Sequence, residues 1–323
     1  MQRRTLIRSI PALAAAAWIG GAGAGGYPSK PVRLVVPFPA GGSTDIAARM
    51  LAERLRERWE HPVIVENRPG ATGMIGAEAV ARAPADGHTL LFTINSFASN
   101  PAVQSRIPYD TFGDFAPIGL LATNSVAFVV SSSSKAKTVG DLLAELKNAT
   151  RPTAYASFGQ GSLTHVYGEL LNRNAGTRMT HVPYKGEAPA IADLIGGTVD
   201  VSFASPQTAM QQAAGGKIRI LAIADEARNP LMPDVPTFAE AGLPALGRPG
   251  WAGVLVRSGT DRAIIDRLVA EVRATANEPG FVDALKARGI LVRHEEPEVF
   301  ARRMRDDLEF MRKSIASTGI RIE

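Results

Sequence analysis

The stretch Val32-Arg-Leu-Val-Val-Pro-Phe-Pro-Ala-Gly-Gly-Ser-Thr-Asp45 joins a short apolar run to a glycine-containing turn. The β-branched and apolar residues 32–36 are typical of a buried strand. The turn ends in Ser43, Thr44 and Asp45, which are residue types that cap helix starts. Beyond it, apolar residues recur at helical spacing: Ile46, Met50, Leu51 and Leu55. The stretch therefore predicts a strand, a loop and an amphipathic helix, the basic unit of an α/β fold.

The same alternation continues along the chain. Val63-Ile-Val-Glu66 predicts a second strand, the following loop leads into another helix, and residues 88–94 predict a third strand. A β-α-β-α-β order implies a parallel sheet covered on both faces. A comparable unit starts after residues 126–130, and residues 251–256 predict a strand that returns to the first unit. Three helices are predicted at the end of the chain, over residues 261–277, 279–288 and 297–317.

This order predicts two α/β lobes, between which the chain crosses twice. Residues 25–127 and 251–323 are expected to form lobe 1, and residues 128–250 are expected to form lobe 2. Two crossings make a hinge, and the cleft between hinged lobes is a usual place to trap a small molecule.

Three glycine-containing loops follow predicted strands and open predicted helices. They lie at residues 38–45, 69–76 and 159–165. A helix start offers unpaired N–H groups and the positive end of the helix dipole, and glycine lets an anion approach the backbone. Ligands of open α/β sheets bind at this edge. The loops are therefore candidate carboxylate or phosphate cradles, although each glycine could also serve only to form a turn.

The first 24 residues have the features of an export signal. Basic residues precede a short apolar segment, and Ala22 and Ala24 give a cleavage site of the A-x-A type. Arg3-Arg4-Thr5-Leu6-Ile7 resembles a twin-arginine signal, with general secretion as the alternative. Cleavage near Ala24 removes Arg3, Arg4 and Arg8, so the formal net charge falls from +5 to +2. The mature chain is therefore expected in the periplasm, and its charge gives no reason to expect nucleic-acid binding.

Several other site classes lack the residues that they need. The chain has no cysteine, which excludes disulfides and thiolate chemistry, and its five histidines show no zinc-protease spacing. The spacing Gly70-x-x-Gly73-x-x-Gly76 differs from a dinucleotide fingerprint, and a P-loop is absent. Around Ser43 the sequence misses a nucleophile elbow by one residue, so a hydrolase there would need partners that the sequence does not place. No metal or cofactor is expected.

Taken together, several segments resemble the substrate-binding proteins of the tripartite tricarboxylate transporter family, the Bug-type periplasmic receptors. Residues 27–45 carry the first part of the resemblance, and Val65-Glu-Asn-Arg-Pro-Gly-Ala-Thr-Gly-Met-Ile-Gly76 the second. It continues in residues 83–91, 181–190, 193–200 and 233–244. The resemblance implies a type II periplasmic-binding-protein fold, in which two Rossmann-like lobes are joined by two crossover strands and close on a small carboxylate.

The resemblance also implies a set of ligand-binding residues, with backbone amides and ordered water holding the carboxylate. Asp45 could instead only cap its helix, Lys185 could be a solvated loop residue, and His165 could be a neutral hydrogen-bonding residue. Arg68 is expected to be structural. The implied ligand-binding residues are Phe38, Ala40, Gly41, Gly42, Ser43, Asp45, Ala71, Thr72, Gly73, Ser157, Gly161, Ser162, Thr164, His165, Tyr184 and Lys185.

The sequence thus predicts a monomeric receptor, not an enzyme, that delivers a small organic acid to separate integral membrane subunits, one large and one small. Two alternatives stay open: a sensor component that docks on a membrane histidine kinase, and a secreted hydrolase that uses Ser43. Residues 95–101 and 200–206 depart from the family pattern near the expected rim of the cleft. These departures leave the identity of the carboxylate open.

Overall fold

A computed structural model describes residues 26–320, so the predicted export signal lies outside the described residues. The chain folds into two α/β lobes, each built on one sheet, and the predicted two-lobed α/β fold is confirmed. Within residues 26–320, no helix combines the length and the apolar character that crossing a membrane would require.

The first lobe is built on a six-stranded sheet in the order β11-β4-β10-β3-β1-β2. Strand β1 pairs in parallel with β2 and β3, as the alternating pattern predicts, whereas β10 pairs antiparallel with both β3 and β4. The strands are β1 Val32–Val36, β2 Val63–Asn67, β3 Thr89–Ile94, β4 Phe115–Asn124, β10 Gly250–Arg257 and β11 Leu291–Glu295.

Helices cover both faces of this sheet. One apolar cluster joins Leu51 and Leu268 to the sheet, and a second joins Val80, Phe97 and Phe300 to its other face. The helices of this lobe are α1 Ser43–Trp59, α2 Met74–Ala81, α3 Ser96–Val103, α8 Arg262–Ala276, α9 Pro279–Lys286 and α10 Pro297–Thr318, and a 3-10 turn spans Ala71–Gly73.

The second lobe has a five-stranded sheet in the order β7-β6-β8-β5-β9, again with an apolar cluster on each face. Strand β6 is parallel to β7 and β8, and β5 is antiparallel to β8 and β9. Its elements are β5 Val126–Ser131, α4 Val139–Lys147, β6 Ala154–Ser157, α5 Leu163–Ala175, β7 Thr180–Pro183, α6 Glu187–Gly196, β8 Val201–Ala204, α7 Pro206–Ala214 and β9 Ile218–Ala224.

The chain crosses between the lobes at Ser125, which separates β4 from β5, and again just before β10. Ser125 is buried, and its hydroxyl donates to the Asp225 carboxylate at 2.5 Å. The first crossing lies a few residues before the sequence-based limit at residues 127–128. The last helix also departs from the expected lobe limits, because Phe300 packs in the first lobe while Met311 packs in the core of the second.

Candidate functional site

A cavity of about 440 Å³ lies between the lobes. Five of the predicted ligand-binding residues line it: Phe38, Thr72, Gly161, Ser162 and Thr164. Among the described residues, those that line the cavity include no Asp, Glu, Lys, Arg or His. Any charge on a bound molecule must therefore be balanced by main-chain N–H groups and neutral side chains rather than by an ion pair.

A smaller cavity of about 100 Å³ adjoins the first and shares Ile94, Asn95, Asn124 and Gly250 with it. The predicted residue Ser43 lines this smaller space, together with apolar groups that include Trp251. The start of α1 therefore faces the side compartment, and the starts of α3 and α5 face the main cavity.

The first loop is held closed by Asp45. This buried carboxylate accepts from the Gly41 N–H at 2.9 Å, from Arg49 at 2.9 Å and from Asn67 at 2.8 Å. Burial alone would raise the pKa of Asp45, but the hydrogen bonds from Arg49, Gly41 and Asn67 lower it. The residue that caps α1 is Gly42, without a side-chain hydrogen bond, rather than Ser43, Thr44 or Asp45. Asp45 thus fixes the loop shape, and the Gly41 N–H is already donated.

The second loop has an unusual backbone. Ala71 and Thr72 both have positive φ, at 48° and 53°, and they lie between Gly70 and Gly73, which also have positive φ. Successive left-handed residues are costly for side chains with a Cβ, and most of all for a β-branched one. The Thr72 carbonyl accepts from the Asn100 amide at 3.3 Å, so α3 helps to hold this conformation. Such strain is found where a loop is shaped for binding.

The third loop satisfies most of its polar groups internally. Ser162 caps α5 by accepting from the His165 N–H at 3.2 Å, and Thr164 accepts from the Phe158 N–H at 3.0 Å. The Gly161 N–H donates to His165 Nδ1 at 3.1 Å. The first-turn N–H groups of α5 are those that a helix leaves without an intrahelical partner. Of these, the N–H groups of Leu163 and Thr164 are the donors that this loop offers to a ligand, because those of His165 and Val166, like that of Gly161, are donated within the protein.

Below this loop, the ring of His181 stacks on both Tyr155 and His165. The centroids of the His181 and Tyr155 rings lie 5.1 Å apart, and His181 Nε2 lies 2.6 Å from the Ser157 hydroxyl. Burial lowers the pKa of His181 to about 4, with a further contribution from His165. Burial also lowers the pKa of His165, against the opposing effect of Glu169. At neutral pH both rings are therefore neutral and support the loop from beneath.

Tyr184 and Lys185 lie outside the cavity lining. The Tyr184 hydroxyl donates to Asp193 at 2.6 Å, and its side chain packs against the core of the second lobe. Lys185 is exposed just before α6. Arg68 pairs with Glu66 at 2.6 Å, which supports a structural role. The predicted residues that do not line either cavity are Ala40, Gly41, Gly42, Asp45, Ala71, Gly73, Ser157, His165, Tyr184 and Lys185.

Helix α3 was not predicted from the sequence, which placed residues 95–101 near the rim of the cleft without expecting them to bind the ligand. Asn95, Ser96, Ser99 and Asn100 all line the main cavity. The sequence signal was available, because an Asn-Ser pair follows strand β3 at the sheet edge where helices begin. Pro101 obscured it, since proline within a short segment argues against a helix, yet here it lies inside α3.

The chain matches a known protein family in sequence. A sequence model described as a tripartite tricarboxylate transporter family receptor matches residues 47–320. The chain belongs to this receptor family. The family identity predicted from the sequence is thereby confirmed, and the two-lobed fold is that of a TctC-type receptor.

Two relatives of this receptor match about nine-tenths of the chain. A protein from the tcbD-tcbE intergenic region of Pseudomonas sp. strain P51 is 36% identical over 290 residues, which cover 90% of this chain and 86% of the relative. BugT of Bordetella pertussis is 32% identical over 299 residues, which cover 92% of each chain.

Solved structures of this receptor family have the same fold. Rpa4515 of R. palustris, solved with adipate, has a TM-score of 0.80 and 31% identity, covering 91% of this chain and 99% of the other. MatC of Rhodopseudomonas palustris, solved with malate, has a TM-score of 0.75 and 30% identity, covering 90% and 100%.

Proposed function

We propose that this receptor captures a small organic carboxylate in the cavity between its lobes and delivers it to separate integral membrane subunits of a tripartite transporter. The observation that carries this proposal is a cavity lined by helix starts and by no charged side chain among the described residues. Two relatives of the same fold hold adipate and malate, respectively.

The physical basis is the positive end of the helix dipole. Each helix start is equivalent to roughly half a positive charge, and it stabilises a nearby anion by about 0.3–1 kcal/mol, or up to ~2 kcal/mol where partly buried. The starts of α3 and α5 face the main cavity, and the uncapped start of α1 faces the adjoining space. Together they can hold a carboxylate without an arginine or lysine.

Delivery requires that a partner distinguish the loaded receptor from the empty one. A ligand that contacts both lobes stabilises the arrangement in which the lobes lie together. We infer that the membrane subunits recognise this arrangement, and that the receptor acts as a monomer. A histidine-kinase sensor remains the alternative partner, but the family match favours transport.

The hydrolase alternative finds little support in the geometry. Ser43 begins α1 beside the small cavity, while the serine found in a close contact with histidine is Ser157. Ser157 lines neither cavity, so its hydroxyl is not presented to a molecule bound there.

We further propose periplasmic export with cleavage near Ala24. Replacing both Arg3 and Arg4 by lysine should abolish export if the twin-arginine route is used. A full-length chain still processed to its mature form after this change would instead support general secretion.

The proposed function is tested with the mature chain from residue 25 and a panel of small acids. Native mass spectrometry of undialysed protein would detect a co-purified acid, and calorimetry would measure each affinity. A ligand at about 100 times its Kd should stabilise the native state by about 2.7 kcal/mol. The neutral amide of each bound acid is the matched control and should give no shift. Absence of binding across mono-, di- and tricarboxylates, aliphatic and aromatic, would overturn the proposal.

A further inference from the structure

Helix α3 presents two polar atoms that the protein leaves without partners. The Ser96 hydroxyl oxygen and the Asn100 amide oxygen are both buried, and neither has a hydrogen-bond partner among the described residues. Both residues line the main cavity, and Asn100 is only 1% exposed. A buried polar atom left unpaired costs about 1–3 kcal/mol, so each one calls for a partner.

The orientation of the Asn100 amide follows from its neighbour. Its nitrogen donates to the Thr72 carbonyl at 3.3 Å, and a carbonyl can only accept, so the amide cannot be turned around without losing that bond. The Asn100 oxygen is therefore a pure acceptor. The Asn100 amide also acts on the Tyr109 hydroxyl and lowers its pKa, but burial outweighs this effect and raises the pKa of Tyr109 to about 12, so the hydroxyl stays protonated.

A plain carboxylate brings only acceptors into this cavity. It can accept from helix N–H groups, but it leaves the Asn100 oxygen unpaired. A ligand that also carries a hydrogen-bond donor can donate to the Asn100 oxygen. The donor is neutral, because no carboxylate side chain lines the cavity to balance an ammonium group.

We propose that Ser96 and Asn100 determine specificity, and that the cleft selects carboxylates that also carry a hydroxyl or an amide N–H. This proposal rests on the proposed function and narrows its substrate class. The main-chain N–H groups bind the carboxylate, while the side-chain oxygens of Ser96 and Asn100 accept a hydrogen bond from the neutral donor group of the ligand. A site built to bond a ligand hydroxyl discriminates strongly against the analogue that lacks it.

The test uses acids matched in skeleton: malate, succinate and aspartate; 3-hydroxybutyrate and butyrate; 3-hydroxybenzoate and benzoate. Calorimetry on the mature wild-type chain should give a Kd at least about tenfold lower for the hydroxy acid of the set that binds. Aspartate, which replaces the hydroxyl of malate by an ammonium group, should bind more weakly than malate.

Ser96→Ala should reduce the preference for the hydroxy acid at least about threefold. Ser99→Ala is the matched control, since Ser99 lines the same cavity but its hydroxyl already donates to the Asn95 carbonyl at 3.1 Å. That variant should keep the wild-type preference.

Three results separate the possible failures. Equal affinities within every set that binds would overturn the specificity proposal while leaving carboxylate capture intact. An equal loss of preference in Ser96→Ala and Ser99→Ala would also overturn it, because the effect would then not come from the unpaired hydroxyl. If none of these acids binds and the broader panel also fails, the proposed function falls together with this inference.

Discussion

The imidazole rings of His165 and His181 lie stacked, with 3.8 Å between their centroids and 7° between their planes. His165 accepts the Gly161 N–H, so the stack connects the core of the second lobe to the loop that lines the cavity. Besides each other, the rings meet Tyr155 and the Ser157 hydroxyl, and Glu169 acts on His165. Two rings this close cannot both carry charge cheaply.

The stack should make stability depend on pH. Since the folded state lowers the pKa of His181 from 6.5 to about 4, the unfolded chain binds more protons between these values. Stability is therefore complete above pH 6.5 and falls as the pH drops toward 4. Because the His181 side chain is only half-buried, we expect a loss of roughly 1–2 kcal/mol. Urea unfolding of the mature chain at a series of pH values measures it.

His181→Asn should flatten this dependence, and His61→Asn, in the other lobe, should leave it unchanged. If the free energy of unfolding fell equally with decreasing pH in the wild type and in His181→Asn, the histidine stack would not be the cause of the pH dependence.

The left-handed backbone at Ala71 predicts a stabilising substitution. In this conformation a residue with a Cβ is strained by roughly 1–2 kcal/mol. Glycine avoids this strain but loses about 0.5–1 kcal/mol more backbone conformational entropy on folding. Ala71→Gly should therefore raise the free energy of unfolding by about 0.5–1 kcal/mol. Ala71 is outside the cavity lining, so ligand affinity should change little.

The matched control is Ala270→Gly, which makes the same replacement at an exposed position inside α8. There it should lower stability by about 1 kcal/mol. A loss of stability in both variants would contradict the strained loop.

An ion-pair network joins the two lobes at Glu226. This carboxylate, just after β9, contacts Arg293 at 2.8 Å and Arg303 at 3.2 Å, and both arginines belong to the first lobe. Glu226 and Arg293 are exposed, and Arg303, which is mostly buried, keeps Glu295 as a second partner, so each pair of Glu226 contributes about 1 kcal/mol. Glu226→Gln should increase the fraction of molecules with separated lobes about two- to fivefold. Distances between spin labels on the two lobes would measure that fraction.

Glu240→Gln serves as the control, because Glu240 pairs with Arg228 within the second lobe. High salt should reproduce the Glu226→Gln effect in the wild type. If both variants gave the same label distances as the wild type, the Glu226 network would play no part in holding the lobes together.

The sequence predicted secondary structure best where turn and helix-start residues agree with the spacing of the apolar residues. The strand, loop and helix at residues 32–59 follow directly from the pattern, as do the helices α8, α9 and α10. Strand β4 was missed because Pro117 and Gly119 lie within it, and the structure accommodates them with register shifts against β10. Strand β11 was missed because its five residues include Arg293, His294 and Glu295.

The candidate site was less predictable, because its contacts join residues far apart in the chain. No local pattern reveals that Asn67 bonds Asp45, or that Asn100 bonds the Thr72 carbonyl. Sequence reasoning located the loops, and five of the expected residues do line the cavity. It could not tell which amides are already used within the protein, as those of Gly41 and Gly161 are.

A crystal structure of the mature receptor with its tightest-binding acid tests the central claim most directly. We predict carboxylate oxygens inside the interlobe cavity, about 2.7–3.2 Å from first-turn N–H groups of α3 or α5. A carboxylate paired instead with a side chain outside the cavity, such as Lys185 or Arg68, would contradict the account.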